Sequence, residues 1–246
     1  MNILFYKHLE WDSKQLGISC GRITSNGILE ESDSAKLLDD FKGLIHDNRA
    51  VDLITIKLPS TFRHVMEGLI KSHARFIDTE LIFKLNNRSN LKVLCDVDIV
   101  EKCNAEPFIP LATGFNYSRL FLDPRIPKIK AEELWANSIR NHCLGKADQL
   151  AIAYSGGLPA GLTTINYLDP KRINLHIVGV LKEFQRRGIG RSLLSKIIEN
   201  YGGKFDIFVE ASSMNTNAIK LYQNSGFVVD TIQYVLHVWP VNIFES

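Results

Sequence analysis

No apolar run in this 246-residue sequence approaches the ~20 residues that a membrane helix requires. The opening residues Met1–Lys7 also lack the basic region, long apolar segment and small-residue cleavage site of a secretory leader. The expectation is therefore a cytoplasmic chain with no membrane partner. Charge of one sign is missing too: 29 Lys and Arg stand against 27 Asp and Glu, a formal net charge of +2. No basic stripe exists of the kind that a nucleic acid demands, so none is expected as a partner. Cysteine is scarce. Cys20, Cys95, Cys103 and Cys143 show no paired metal-ligand spacing and are too few for a disulfide scaffold. They read as small buried side chains in a reducing compartment, and no metal is expected. What remains is an ordinary globular balance, 45% hydrophobic and 23% charged, enough for one large domain or two modest ones.

Two blocks of the chain look alike. In the first, the β-rich run Val51–Ile56 leads to a helical stretch from Thr61 to Lys71 and then to a second strand, Phe76–Phe83. In the second, Phe205–Val209 leads to a helical stretch from Thr216 to Asn224 and then to Phe227–Tyr234. Each second strand carries Asp-Thr near its start. Upstream of each block lies an amphipathic helix, marked by Leu37, Leu38, Phe41, Leu44 and Ile45 in one and by Leu193, Leu194, Ile197, Ile198 and Tyr201 in the other. The polar stretch Asn86–Asn90 between them predicts a boundary, with a smaller domain over 1–88 and a larger one over 89–246. In the larger part the pattern predicts a strand at Val97–Val100, a helix from Ile129 to Cys143 and a hairpin turning at Ser155-Gly156-Gly157. A strand from Ile173 to Val180 and a helix from Gly188 to Tyr201 follow. Alternating strands and helices give an α/β fold.

Between that last strand and helix lies Gln185-Arg186-Arg187-Gly188-Ile189-Gly190. Glycines that allow close backbone approach, at a helix N-terminus with unpaired N–H groups, suit a pyrophosphate. Arg186, Arg187 and Arg191 add positive charge. A dinucleotide fingerprint would need a third glycine and a later acidic residue, and a P-loop would need Gly-Lys-Ser/Thr. Neither is present. Spacing alone does not separate a phosphate cradle from a solvated basic turn before a helix.

The strand, Gln-x-x-Gly-x-Gly, helix and strand, followed by Asn217-Ala218-Ile219-Lys220-Leu221-Tyr222-Gln223-Asn224-Ser225-Gly226-Phe227, resemble the GNAT (Gcn5-related N-acetyltransferase) superfamily. The resemblance runs from about Val97 to Trp239. It implies a mixed central sheet flanked by helices, preceded here by a smaller degenerate GNAT-like α/β domain. It further implies an acyl-CoA co-substrate, held by Gln185, Arg186, Arg187, Gly188, Ile189, Gly190 and Arg191 at its pyrophosphate. Val178 and Val180 would pair with the pantetheine amides, and Asn217 would belong to the same site. Tyr222 occupies the place of the tyrosine that protonates the leaving thiolate in many members, although a helix would also bury an apolar stripe there. His176 resembles a histidine of the arylalkylamine acetyltransferases and is the candidate base, against the plainer reading of a structural histidine on a strand.

The segments Leu9–Gly17 and Ser118–Pro127 further resemble the two-domain dTDP-fucosamine acetyltransferase group. That likeness implies transfer to the amine of a dTDP-linked deoxysugar for surface polysaccharide, and a homodimer, for which the apolar strand Tyr234–Trp239 offers an edge. Asn116, Tyr117, Ser118 and Arg119 carry amide, hydroxyl and guanidinium groups suited to sugar hydroxyls or a diphosphate. The N-terminal repeat has no second cradle, which predicts one CoA per chain. Two readings stay open beside this one: a GNAT enzyme for another small amine or a protein N-terminus, and a non-catalytic acyl-CoA-binding module.

Overall fold

The computed structural model describes residues 4–25, 34–87 and 93–240. Arg88, Ser89 and Asn90 of the expected boundary lie outside these. The chain forms two compact units, Met1–Glu80 with Arg119–Ala131 and Thr231–Ser246, and Leu81–Ser118 with Glu132–Asp230.

In the first unit, strand β1 (Leu4–His8) leads through the short helix α1 (Glu10–Leu16) to β2 (Cys20–Ser25). Helix α2 (Ser34–Asp47) then crosses to β3 (Leu53–Pro59), which α3 (Arg63–Lys71) and β4 (Arg75–Leu85) follow. β1 and β2 run antiparallel, while β2 and β3 run parallel from Cys20↔Leu53 to Ile23↔Ile56. Alternation sorts the side chains of β3. Ile54, Ile56 and Leu58 face α2 and α3 and join Phe41, Val65 and Leu69 in a dry core. Thr55 and Lys57 face the other way, and their register neighbours across the sheet are Arg22 and His237 for Thr55. Helix α4 (Arg119–Leu122) and the turn after it also belong to this unit.

The C-terminal strand β10 (Phe227–Val238) corrects one expectation. Its segment Gln233–Val238 is hydrogen-bonded to β3, in a sheet order that puts β10 between β3 and β4. Val235, Leu236 and Val238 are buried. The apolar pattern of Tyr234–Trp239 reflects this internal position, and it supplies no free edge for a partner.

The second unit is a mixed sheet. β5 (Val97–Val100), β6 (Gln149–Ser155), β7 (Leu158–Asp169) and β8 (Arg172–Val180) form an antiparallel meander. The hairpin between β6 and β7 turns on Gly156 and Gly157, both at positive φ, the geometry of a two-residue loop that matches strand twist. β9 (Asp206–Ser212) lies parallel to β8 after the crossover helix α6 (Ile189–Tyr201). Helix α7 (Thr216–Asn224) follows. One face of the sheet packs on α6 and α7 through Leu175, Leu193, Ile197, Tyr222 and Phe227. The other face packs on Phe108, Leu111, Ile139 and Cys143. Ile139 belongs to helix α5 (Lys128–Asn141), which ends in a single wide turn of π type, His142–Lys146.

Candidate active site

Strand β8 parts from its neighbour in mid-course. Its pairing with β9 runs from Arg172↔Asp206 to Leu175↔Val209 and stops, while its pairing with β7 continues to Gly161↔Val180. A register shift causes the departure. Thr163 faces Val178 and Ile165 faces Leu175, so Thr164 alone stands against His176 and Ile177. The N–H of Ile177, displaced by this bulge, donates to Thr164 Oγ1 at 3.0 Å. The bulge leaves Val178 and Val180 half-buried beyond the end of the β9 pairing, on a strand whose peptide groups face that gap.

The cradle follows directly. Phe184 closes a 3-10 turn, Gln185 is extended, and Gln185 Nε2 donates back to Val180 O at 3.1 Å. Arg186 then takes a positive φ of 66° and Gly188 one of 81°. For arginine this left-handed conformation costs free energy, and non-glycine residues held there mark functional backbone. Left-handed residues in close succession turn peptide N–H groups toward one point, the geometry of an anion-binding nest. Gly188 caps α6, whose first N–H groups lack intrahelical acceptors. Arg186, Arg187 and Arg191 are exposed around this terminus, with the Arg187 guanidinium 5.6 Å from the Phe184 ring centroid. A methyl group built on Gly190 would lie 3.1 Å from Leu221 and 3.6 Å from Val180. Glycine there lets the cradle, β8 and Leu221 of α7 pack together. These residues fit a pyrophosphate with an amide-bearing tail.

Tyr222 is buried, its ring edge-on to Phe83 at 5.5 Å and tilted against Phe227 at 6.1 Å. Burial raises its pKa, so the hydroxyl keeps its proton at neutral pH. Asn217 is exposed in the first turn of α7. The cap of that helix is Asn215, whose Oδ1 accepts from the Ala218 N–H at 3.1 Å.

His176 lies on the bulge with its side chain exposed, in the layer of α5 rather than that of α6 and α7. Its ring stacks on Trp135 at 5.9 Å and stands 5.4 Å from His142; Trp135 in turn stacks on Phe115 at 4.3 Å. Trp135 Nε1 donates to Ser118 Oγ at 3.0 Å. The structure thus brings Ser118, and with it the exposed Asn116 and Tyr117, beside the candidate base. Arg119 belongs to the first unit, where it donates to Asp12 Oδ2 at 2.7 Å and to Thr55 Oγ1 at 3.4 Å. His142, on the helix expected from Ile129 to Cys143, is a further residue of this cluster. Its Nδ1 lies 2.7 Å from the Ser138 carbonyl, so Nδ1 carries the proton, and burial lowers its pKa and keeps the ring neutral. An i, i+4 spacing of serine and histidine near a helix end was the available signal.

This geometry, a bulged strand parting from its parallel neighbour above a Gln-x-x-Gly-x-Gly helix start, defines an acyltransferase fold of the GNAT type. Residues 116–227 match the acetyltransferase (GNAT) family. The chain is similar to the spore coat polysaccharide biosynthesis protein SpsD of Bacillus subtilis, 30% identical over 129 residues that cover 52% of this chain and 44% of that protein. It is also similar to the N-alpha-acetyltransferase RimI of Mycobacterium tuberculosis, 32% identical over 108 residues, 43% of this chain and 62% of the relative. The chain therefore spans less than two thirds of either relative. Among solved structures, a GCN5-related N-acetyltransferase from Sphaerobacter thermophilus shares the fold with a TM-score of 0.60 at 13% identity, covering 97% of this chain and 77% of that one. A tandem GNAT protein from the clavulanic acid biosynthesis pathway shares it with a TM-score of 0.52 at 11% identity, covering 90% and 75%.

Proposed function

We propose that the chain is an acyl-CoA-dependent N-acyltransferase acting on the amino group of a nucleotide-linked amino deoxysugar, dTDP-linked, for surface polysaccharide. The observation that carries the acyl-CoA part is the junction of the parted β8–β9 pair with the left-handed Arg186–Gly188 backbone. The peptide groups of Val178 and Val180 take the pantetheine amides, and the N–H groups from Arg186 to Arg191 take the pyrophosphate. The sugar acceptor is supported by the SpsD relative, whose name places it in polysaccharide biosynthesis, and by the hydroxyl and amide groups of Asn116, Tyr117 and Ser118 beside Trp135. Residues 1–88 serve as a degenerate copy that binds no second CoA.

Transfer is direct. The acceptor amine, freed of its proton by His176, attacks the thioester carbon, and the Tyr222 hydroxyl protonates the departing thiolate. His176→Ala is expected to lower kcat/KM about tenfold at neutral pH and to flatten its rise through the histidine range, because water can replace only part of an exposed base. An unmoved pH–rate profile would remove His176 from the mechanism.

The acceptor is tested by thiol release from acetyl-CoA and longer acyl-CoAs against dTDP-amino sugars, simple amines and peptides with free N-termini. Turnover with a dTDP-amino sugar supports this reading. Turnover confined to peptides would assign the chain to protein N-termini instead, and CoA binding without turnover on any amine would make it a binding module.

A further inference from the structure

The four cysteines are not all buried and isolated, as the sequence suggests. Cys20 and Cys143 are buried, but Cys95 and Cys103 are only half-buried, and Cys103 meets Cys143. Cys103 follows β5, forty residues before Cys143, which lies in the π-type turn that ends α5. The Cys103 N–H donates to the Cys143 carbonyl at 3.0 Å. This bond and the apolar cluster they share place the two residues side by side, the first condition for a disulfide. The two thiols are near enough for each to shift the other's titration. The Lys102 side chain lies over the same turn, where a methyl group on Gly145 would meet its Cε at 2.7 Å.

We propose that Cys103 and Cys143 are a redox-active dithiol that closes to a disulfide when a small disulfide oxidant is present. The two thiols have unequal roles. Their interaction lowers the pKa of Cys103 and raises that of Cys143, which burial pushes further up. Cys103, partly accessible and beside Lys102, is the attacking thiolate. With oxidised glutathione it displaces one glutathione thiolate from the S–S bond and forms a mixed disulfide. Cys143 then gives up its proton and attacks Cys103 Sγ, and the second glutathione leaves. One dithiol and one glutathione disulfide become one protein disulfide and two glutathione thiols. In a reducing compartment the pair rests as thiols and closes only under oxidant.

Position gives the bond a consequence, which rests on the acyltransferase reading above. Cys143 directly follows His142, whose ring is 5.4 Å from His176. A covalent tie to Cys103 fixes the turn that carries His142 and so shifts the ring that backs the candidate base. Cys20 is buried, and burial raises its thiol to about 11.

The test exposes the full chain to oxidised glutathione and maps its tryptic peptides without reductant. Cleavage after Lys102, Arg119, Arg140 and Lys146 isolates Cys103 in 103–119 and Cys143 in 141–146. The expected product is these two peptides linked, with the loss of two hydrogens, reverting with dithiothreitol. The Cys95→Ala variant should form the same link and Cys103→Ala should not. A stable glutathione adduct on Cys103 that never resolves, a link through Cys95 or Cys20, or no link at all overturns the proposal. In a parallel assay, oxidant should abolish acyl transfer by the wild-type chain, reversibly, and spare Cys103→Ala. A mapped link with unchanged turnover overturns the control of the site. Peptide mapping needs no turnover, so a failure of the acyltransferase reading leaves it decisive.

Discussion

Tyr222→Phe is expected to lower kcat by about 100-fold while leaving acyl-CoA affinity and stability nearly unchanged, since a general acid contributes at least that factor. The substitution keeps the ring that packs on Phe83 and Phe227 and removes one oxygen. That oxygen matters only when the thiolate leaves, so the loss belongs in kcat and not in binding. Burial raises the pKa of this hydroxyl, so it holds its proton across the neutral range. Steady-state kinetics with saturating acceptor, alongside a calorimetric acyl-CoA titration, separate the two effects. Turnover equal to wild type would leave Tyr222 as a packing residue.

The second large effect lies in the first unit. Asp123 is fully buried and accepts from His237 Nδ1 at 2.7 Å, Trp239 Nε1 at 3.0 Å and the Arg125 N–H at 3.0 Å. Asp123→Ala orphans all three donors, and the expected loss of stability is about 3–5 kcal/mol, since each buried donor left without a partner costs about 1–3 kcal/mol. Denaturant unfolding measures it. The pH dependence follows from the same bonds. Burial alone raises the Asp123 carboxyl, but the bonds from His237, Arg125 and Trp239 outweigh it and hold the pKa at about 2. A depressed carboxyl stabilises the fold above its unfolded pKa, near 3.8, and loses that contribution as pH falls toward 2. The stability gap between wild type and Asp123→Asn should therefore close over that interval. His237 adds an earlier loss. Burial lowers its pKa, with Arg119 and Arg22 assisting against the Asp123 bond, so below about 6.5 the unfolded chain takes up a proton that the folded chain refuses. A gap that stays constant from pH 5 to 2 would contradict the ionised state of Asp123.

Local pattern accounts for what the sequence reveals. The helix at Thr216–Asn224 has the bounds of the sequence reading, and the hairpin at Gly156-Gly157 follows from turn residues whose chemistry is local. The cradle was legible because glycine and arginine sit together between a strand and a helix. The bulge at His176–Ile177 was not, since its cause is a pairing with Thr164 twelve and thirteen residues earlier on another strand. Helix α1 escaped notice because its seven residues are too few to show a period. Long-range contacts explain the other differences. Arg119 looks like an anion ligand beside Ser118, yet its guanidinium finds Asp12, 107 positions away in sequence. Asp123 lies between Pro124 and a short helix, and its burial depends on His237, 114 positions away in sequence. Cys103 and Cys143 were separated for the same reason.

The central claim is that the Gln185–Arg191 backbone holds one acyl-CoA. Calorimetric titration of acetyl-CoA into the wild-type chain and into Gly188→Val tests it most directly. At φ 81° a side chain costs about 1–2 kcal/mol, which drives the Gly188 backbone out of its left-handed conformation. The account predicts one acetyl-CoA per wild-type chain and an affinity reduced at least about tenfold in the variant. Two sites per chain, or unchanged affinity in a folded Gly188→Val protein, would contradict it.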